Sequence, residues 1–448
     1  MDLFGTFKHK NPAGLKIDRL MKRMVSPLSG LDKTIGYSLH DAGSPQVYIA
    51  VAQMTAIHRL VGLTRPPSYH LGGYGLRREE ALIRTLGETT ERYAHMAYSV
   101  GRQIPFASAA EMRREGRKIL EMESLAFYTP EQLAGGDLRF KAYEDQARFG
   151  WLEAFTLPGL EPVWLPAQLV LIGYRPQVND GEPWLNSAVT TGSAAHTVPE
   201  KAVCSALLEL IQMDAAMGQW FSGQNAPEIV LDESLPHLVK ILADVAHHNT
   251  YEVCFHSLRS PDLPGHVVAC VLRNRQREIP AVAVGVATEL ELESACYKAF
   301  LEASAIPHLA LIGLLQAPDV VIDKKPIDPA RIVDLDMNVA YYSLPENRAQ
   351  FEKRFPRNEK VKAAEIPRYP AMTARDALRF LIEAFRSAGK RLYFLDLTPP
   401  DIHDLGFCVC RTYSPDLLGL CWPSFPAKAH PRFASFGGVR HSDPHPYP

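Results

Sequence analysis

Glu88, Glu91 and Arg92 are spaced three and four residues apart, which on a helix sets them on one face, with Leu82, Leu86, Tyr93 and Ala97 opposite. Taken alone, such a face is a solvated stripe with an intrahelical ion pair. A second stretch, Ala202 to Met217, reads AVCSALLELIQMDAAM and is apolar nearly all round, so it is expected to be buried. Glu209 and Gln212 lie within it, three residues apart. A carboxylate placed there needs a partner, because an unpaired buried charge is costly. A metal ion, a hydrogen-bonded ligand or an arginine such as Arg92 would each serve. In a third stretch, ESACYKAFLEASA, Lys298 and Glu302 are four apart, the spacing of an ordinary surface ion pair. Brought together, Glu88, Glu91, Glu209 and Glu302 would form a cage of carboxylate oxygens, the ligand type that Mg2+ takes beside nucleotide phosphates such as those of ATP. Neither GxGxxG ahead of a helix nor GxxxxGK[ST] occurs, so any nucleotide site here is neither Rossmann nor P-loop.

The sequence closes on Pro444-His445-Pro446-Tyr447-Pro448. Alternating prolines fix φ and favour a polyproline II strand that loses little entropy on docking. Such a segment is suited to insertion into a pocket, with a carboxylate at Pro448 as its tip. The commoner fate of a Pro-rich end is disorder.

The elements that must position these residues are partly legible. A strand is expected from Val47 to Ala52, a turn at Gly72-Gly73-Tyr74-Gly75, and a helix from Arg78 to Tyr98. Pro199 opens a helix to about Met217, as proline suits a first helical turn. Tyr251 to Ser257, His266 to Arg273 and Ala281 to Ala287 have strand character, and a helix follows from Glu291 to Ala305. Residues 317–375 show no clean period and read as an irregular cover or lid. Thr373 to Ala388 is an amphipathic helix, Arg391 to Leu397 and Phe407 to Tyr413 are strands, and the final thirty residues are loop. The mix indicates an α+β fold with largely antiparallel sheets.

Composition bounds the function. The chain has 448 residues, 46% hydrophobic and 22% charged, with a formal net charge of −2. There is no global basic field for nucleic acid or an anionic membrane surface. The opening MDLFGTFKHKNPAG lacks the apolar core of a signal peptide, and the apolar run from Ala305 to Leu315 is short and interrupted by Pro307 and His308. A cytoplasmic location with reduced cysteines is expected.

The run Gly73-Tyr74-Gly75, Ala81, then Glu88, Glu91 and Arg92 resembles the opening motif of YcaO-domain proteins, approximately GxG, an acidic residue and Ala, then SxxxExxER. Thr197 to Ala202 followed by Leu207-Leu208-Glu209 and Asp214-Ala215 resembles the second family motif, and Ala295, Lys298 and Glu302 the third. Asp396-Leu397-Thr398-Pro399-Pro400-Asp401-Ile402, Leu405-Gly406-Phe407 and Cys410-Arg411 look like the late DLTxPDI, LGF and VxR elements, and PHPYP looks like the PxPxP end of azoline-forming members. The likeness runs from about residue 20 to the terminus. Departures are Arg84 for Ser, Lys201 for an acid, Gln212 and Met213 for Glu and Arg, Thr190-Thr191-Gly192 near the usual SNG, His196 for Gly, and Lys298 for Arg.

The resemblance implies a YcaO-like fold, mixed and largely antiparallel sheets with packed helices around a non-P-loop nucleotide site. It would comprise a 1–70 N-terminal segment and a 71–448 domain whose Pro-rich tail is 442–448. It implies an ATP-dependent cyclodehydratase that converts Cys, Ser or Thr of a ribosomal precursor peptide to thiazoline or oxazoline by phosphorylating the backbone amide oxygen. Glu88, Glu91, Glu209 and Glu302 would hold Mg2+. Arg92, Gln212 and Lys298 would contact ATP, and Pro448 would place its carboxylate by the substrate as a base. Expected partners are the precursor peptide, a leader-binding, ubiquitin-activating-like protein (no such domain precedes the first motif) and an FMN-dependent dehydrogenase, in a homodimer or larger complex. The substituted motifs also suit a non-catalytic scaffold, and thioamide or amidine formation is a related alternative.

Overall fold

A computed structural model describes residues 12–38, 43–62, 71–135, 139–246 and 250–448. The 1–70 segment therefore lies partly outside the described residues. Within it, β1 (Asp32–Tyr37) and β2 (Tyr48–Met54) pair with β3 (Gly72–Gly75) in one antiparallel sheet. The GGYG run is thus a strand, where the sequence suggested a turn. Its glycines serve close approach: a Cβ on Gly73 would sit 2.2 Å from the Ala81 carbonyl oxygen of the following helix.

A second sheet runs β4-β5-β13-β14-β7, with β6 paired to β5. Its strands are β4 (Phe106–Ser108), β5 (Arg148–Thr156), β6 (Pro162–Pro166), β7 (Ser193–His196), β13 (Tyr393–Asp396) and β14 (Cys408–Tyr413). The third sheet runs β11-β10-β9-β8-β12, from β8 (Glu228–Val230), β9 (Tyr251–Leu258), β10 (His266–Asn274), β11 (Val282–Glu289) and β12 (Lys360–Lys362). Only β8 and β12 pair in parallel among the named strands. Mixed helices and antiparallel sheets are the α+β architecture expected.

The third sheet explains its own composition. Every residue of β10 is buried. Val267, Ala269 and Val271 join the core shared with the Pro199–Ser222 helix, while Val268, Cys270 and Leu272 join the core shared with the Leu292–Gln316 helix. A strand covered on both faces loses polar alternation and reads as an unbroken apolar run. Each fully buried Val or Leu contributes about 1.5–3 kcal/mol, so this double burial fixes both helices against one sheet. Gly285 permits the closest approach, since a Cβ there would lie 2.3 Å from the Ala303 nitrogen.

Two helices outrun their expected ends. The first continues from Met217 to Ser222, where Gly223 in the left-handed region stops it. The second runs through Pro307 to Gln316. Proline removes one helical hydrogen bond, but the flanking turns are held by packing on β11 and the Leu335–Ser343 helix. This helix is long and apolar enough to cross a membrane by length and composition, yet most of its apolar stretch is buried within the protein. Residues 317–375 contain the helices Pro318–Ile322, Leu335–Ser343 and Arg348–Glu352 together with β12, not a structureless lid. All seven cysteines are free thiols.

Candidate functional site

The Arg78–Tyr98 helix packs on β3, which sets Glu88 opposite Gly72. The Gly72 amide donates to Glu88 Oε2 at 3.0 Å. Arg92 then forks between two acids, donating from Nη1 to Glu91 at 2.5 Å and from Nη2 to Glu88 at 3.0 Å. On the Pro199–Ser222 helix, Glu209 Oε2 accepts from the Gly192 amide at 3.1 Å. On the Leu292–Gln316 helix, Glu302 Oε2 accepts from the Val286 amide at 3.1 Å. Among the described residues Glu209 and Glu302 each have only that one oxygen engaged in a hydrogen bond.

The electrostatics show that these side chains share one field. Burial pushes Glu209 up to about 8; Glu91 adds to the rise, while Arg92 and Arg411 oppose it. Burial likewise pushes Glu302 up to about 8, against its Val286 hydrogen bond and with a further push from Glu88. Glu91 is raised by burial in spite of Arg92 and Arg411. Burial pulls Arg92 down, but Glu91, Glu88 and Glu209 outweigh it and the guanidinium stays firmly charged. Arg411 is brought down to about 10 by burial, even with Glu209 and Glu91 nearby. Four carboxylates thus face two guanidiniums, and full ionisation leaves a deficit that one divalent cation would cancel.

A cavity of about 1530 Å³ opens beside the cluster, lined in part by Tyr74, Glu88, Arg92, Thr190, Glu302 and Pro448. Glu91 and Glu209 stand behind this lining. Gln212 is half-buried and outside it, although the helical spacing of three puts it on the Glu209 side of the helix. Lys298 is also outside: one turn before Glu302, it meets the end of β11 and pairs with Glu289.

Pro448 reaches the cavity through a tightly held strap. Trp220 Nε1 donates to the Asp443 carbonyl at 3.0 Å, and Arg354 binds the Asp443 carboxylate at 2.9 Å. Tyr342 Oη donates to the Pro444 carbonyl at 2.7 Å. Asn338 Nδ2 donates to the carbonyls of His445 and Tyr447 at 2.7 and 2.8 Å. The prolines bring no N–H needing a partner, and both His445 and Tyr447 are fully buried.

Further side chains complete the site. Arg411, in β14, donates to the Val189 carbonyl at 2.7 Å and to Ser193 Oγ at 3.1 Å. Ser193 also meets His95 Nε2 at 2.8 Å, and the Ile172 amide donates to His95 Nδ1 at 3.3 Å, which leaves the proton on Nε2. Burial keeps that imidazole neutral. Glu80 braces two site helices, accepting from Arg84 at 2.9 Å and from Tyr297 Oη at 2.7 Å. The signal for Arg411 was a lone cation in the apolar strand CVCRTY, which must find an acid.

No group of three acidic, His or Cys side chains among the described residues converges to hold a metal unaided. The donor set nonetheless fits Mg2+. Its ligands are hard oxygens, its spare lone pairs belong to Glu209 and Glu302, and its charge is in deficit. Mg2+ is commonly held by one or two carboxylates, with phosphate oxygens and water completing the shell.

Residues 72–418 match the sequence profile of the family described as YcaO cyclodehydratase, ATP- and Mg2+-binding. No curated protein sequence matches. The fold is shared with a heterocyclase solved in complex with substrate and cofactor (TM-score 0.72, 18% identity, covering 96% of this chain). This chain spans only 56% of that protein's length. The fold is also shared with YcaO from Methanopyrus kandleri bound with AMPPCP and Mg2+ (TM-score 0.58, 18% identity, 86% of each chain). A third match is the E. coli microcin synthetase McbBCD complex (TM-score 0.61, 13% identity, 95% of this chain and 99% of that one).

Proposed function

The chain belongs to the YcaO cyclodehydratase family, and we propose that it is an ATP- and Mg2+-dependent peptide cyclodehydratase forming azolines on a ribosomal precursor peptide. The observation that carries this reading is the meeting of the acid cluster and the Pro448 strap at one cavity.

In this reading a Cys, Ser or Thr side chain gives up its proton and attacks the preceding backbone carbonyl carbon, which closes the five-membered ring and leaves an oxyanion. ATP supplies the phosphoryl group that turns this oxygen into a leaving group. Phosphate then departs, the amide N–H proton is lost, and the C–N bond within the ring becomes C=N. The chain's own residues position and neutralise. Glu209 and Glu302, each with a second oxygen open, would hold Mg2+, and Glu88 and Glu91 would add to the negative field around it. Arg92, with two of its donors fixed on Glu88 and Glu91, offers the remaining ones to phosphate. Arg411 offsets the inner pair of acids. Gln212 and Lys298 are assigned no contact with phosphate. Pro448 lies beside the reacting amide.

The heterocyclase neighbour was solved with substrate, and the McbBCD complex is also known with pro-MccB17 bound. By this likeness the protein would work on a precursor peptide; a leader-binding partner and a flavin dehydrogenase are what the motif resemblance adds to that reading. The test is mass spectrometry of precursor peptide incubated with the protein, its partner and ATP. Loss of one water per ring is expected; an unchanged peptide in a folded, assembled mixture would overturn the reading.

A further inference from the structure

The cavity has a second wall whose chemistry is opposite to that of the acid cluster. Arg139, Lys141 and Arg175 line it, and none has an acidic partner among the described residues. Their placement is built. Phe140 is buried against Tyr128, Trp184 and Trp422, with ring centroids 4.8, 5.4 and 5.1 Å away. The Lys141 amide donates to the Trp184 carbonyl at 2.8 Å. In an extended segment alternate residues share a face, so anchoring Phe140 inward turns Arg139 and Lys141 outward together.

Arg175 comes from the adjoining loop, which is rigid for a separate reason. Glu182 is almost fully buried and takes four donors: the Gly150 and Gln177 amides, Gln168 Nε2 and Tyr174 Oη. The one carboxylate among the described residues of this wall is therefore spent on holding its own loop. Among the described residues no acid neutralises the three cations, and Glu88 and Glu302 lie elsewhere on the lining.

We propose that this wall is the anion subsite of the substrate cavity, and that it takes Asp or Glu side chains flanking the ring-forming residue of the peptide. Apolar neighbours of those acids lie on Ile306, Leu309 and Ile312, which line the same cavity. The inference rests on reading the cavity as a peptide site, and phosphate groups of a nucleotide share the same anion chemistry. One experiment separates the two sources.

The probes are a synthetic decapeptide with one Cys, Leu and Phe neighbours and three Glu, and its versions with Gln or Lys in place of Glu. Each is titrated into wild-type protein and into the Arg139→Gln/Lys141→Gln/Arg175→Gln variant, alongside Mg·ATP, with thermal melting to verify folding. The Glu peptide is expected to bind wild type roughly tenfold more tightly than the Gln peptide, the sum of three exposed charge pairs. That preference should shrink with added salt and vanish in the variant, with Mg·ATP affinity unchanged. Equal affinity for the three peptides, no binding of the Glu peptide, or a variant that loses ATP instead would each overturn the proposal. Because binding is read without turnover, a Glu preference without ring formation would leave the subsite standing and remove only the cyclodehydratase reading.

Discussion

Asn338 donates to the Tyr447 carbonyl at 2.8 Å, one residue before Pro448 meets the cavity. The same amide holds His445 at 2.7 Å, so one fully buried side chain sets the last turn of the strap. Its helix packs on the Leu292–Gln316 helix through Ala340 and Leu314, the helix that carries Glu302. Strap and carboxylate are thereby referred to one frame. Replacing Asn338 by Leu removes both bonds and strands two buried carbonyls, at about 1–3 kcal/mol each. The expected outcome is faster hydrogen exchange at residues 443–447 and a large loss of ring formation. Mg·ATP affinity should be retained, as calorimetry would report.

Deleting Pro444 to Pro448 takes Tyr447 from against Trp220 and the Pro444 carbonyl from Tyr342 but touches none of the acid cluster. Ring formation should fall to background while the protein stays folded and still binds Mg·ATP. Undiminished turnover by the shortened protein would exclude Pro448 from the chemistry.

The Asp214–Arg432 pair is the most deeply buried ion pair among the described residues, at 0% and 1% side-chain exposure. Arg432 also reaches Asp262 at 2.7 Å, so it ties the Glu209 helix to the segment leading into the strap. Arg432→Met leaves Asp214 uncompensated, which typically costs about 3–5 kcal/mol. Urea unfolding should register that loss, and Arg432→Met/Asp214→Leu should recover much of it.

Acid sensitivity follows from buried neutral histidines. Burial lowers His256, His430 and His445 from 6.5 to about 4. The unfolded chain then binds more protons between these values, so stability is complete above about 6.5 and declines as pH falls toward 4. Each histidine contributes up to about 3 kcal/mol to that decline. Urea midpoints measured across this window should drop steadily, and less so in a His445→Gln variant.

Much of the fold was legible because local pattern and burial agreed. The Arg78–Tyr98 and Ala374–Ser387 helices and strands β9 to β11 follow directly from periodicity and apolar runs. What escaped was set by distant contacts. Gly72–Gly75 becomes a strand because β2 lies beside it, and the helix through Pro307 persists because its neighbours hold it. The site was half legible for the same reason. Glu88, Arg92, Glu302 and Pro448 share a cavity, whereas no spacing rule reveals that Glu289 captures Lys298 or that Arg411 enters from a strand some two hundred residues beyond Glu209.

Glu302 gives the most direct measurement. With its acidity shifted to about 8, the carboxyl is largely protonated in the empty site at neutral pH, so Glu302→Gln should leave the melting temperature level or slightly raised. Ionisation becomes favourable only when a cation arrives. Calorimetric titration of ATP, with Mg2+ and with chelator, into wild type and Glu302→Gln should give binding by wild type only with Mg2+, and a variant weakened at least roughly tenfold, about 1.4 kcal/mol. Equal affinity in all four titrations, or no binding by wild type with Mg2+ present, would mean that these carboxylates do not hold a nucleotide-bound metal.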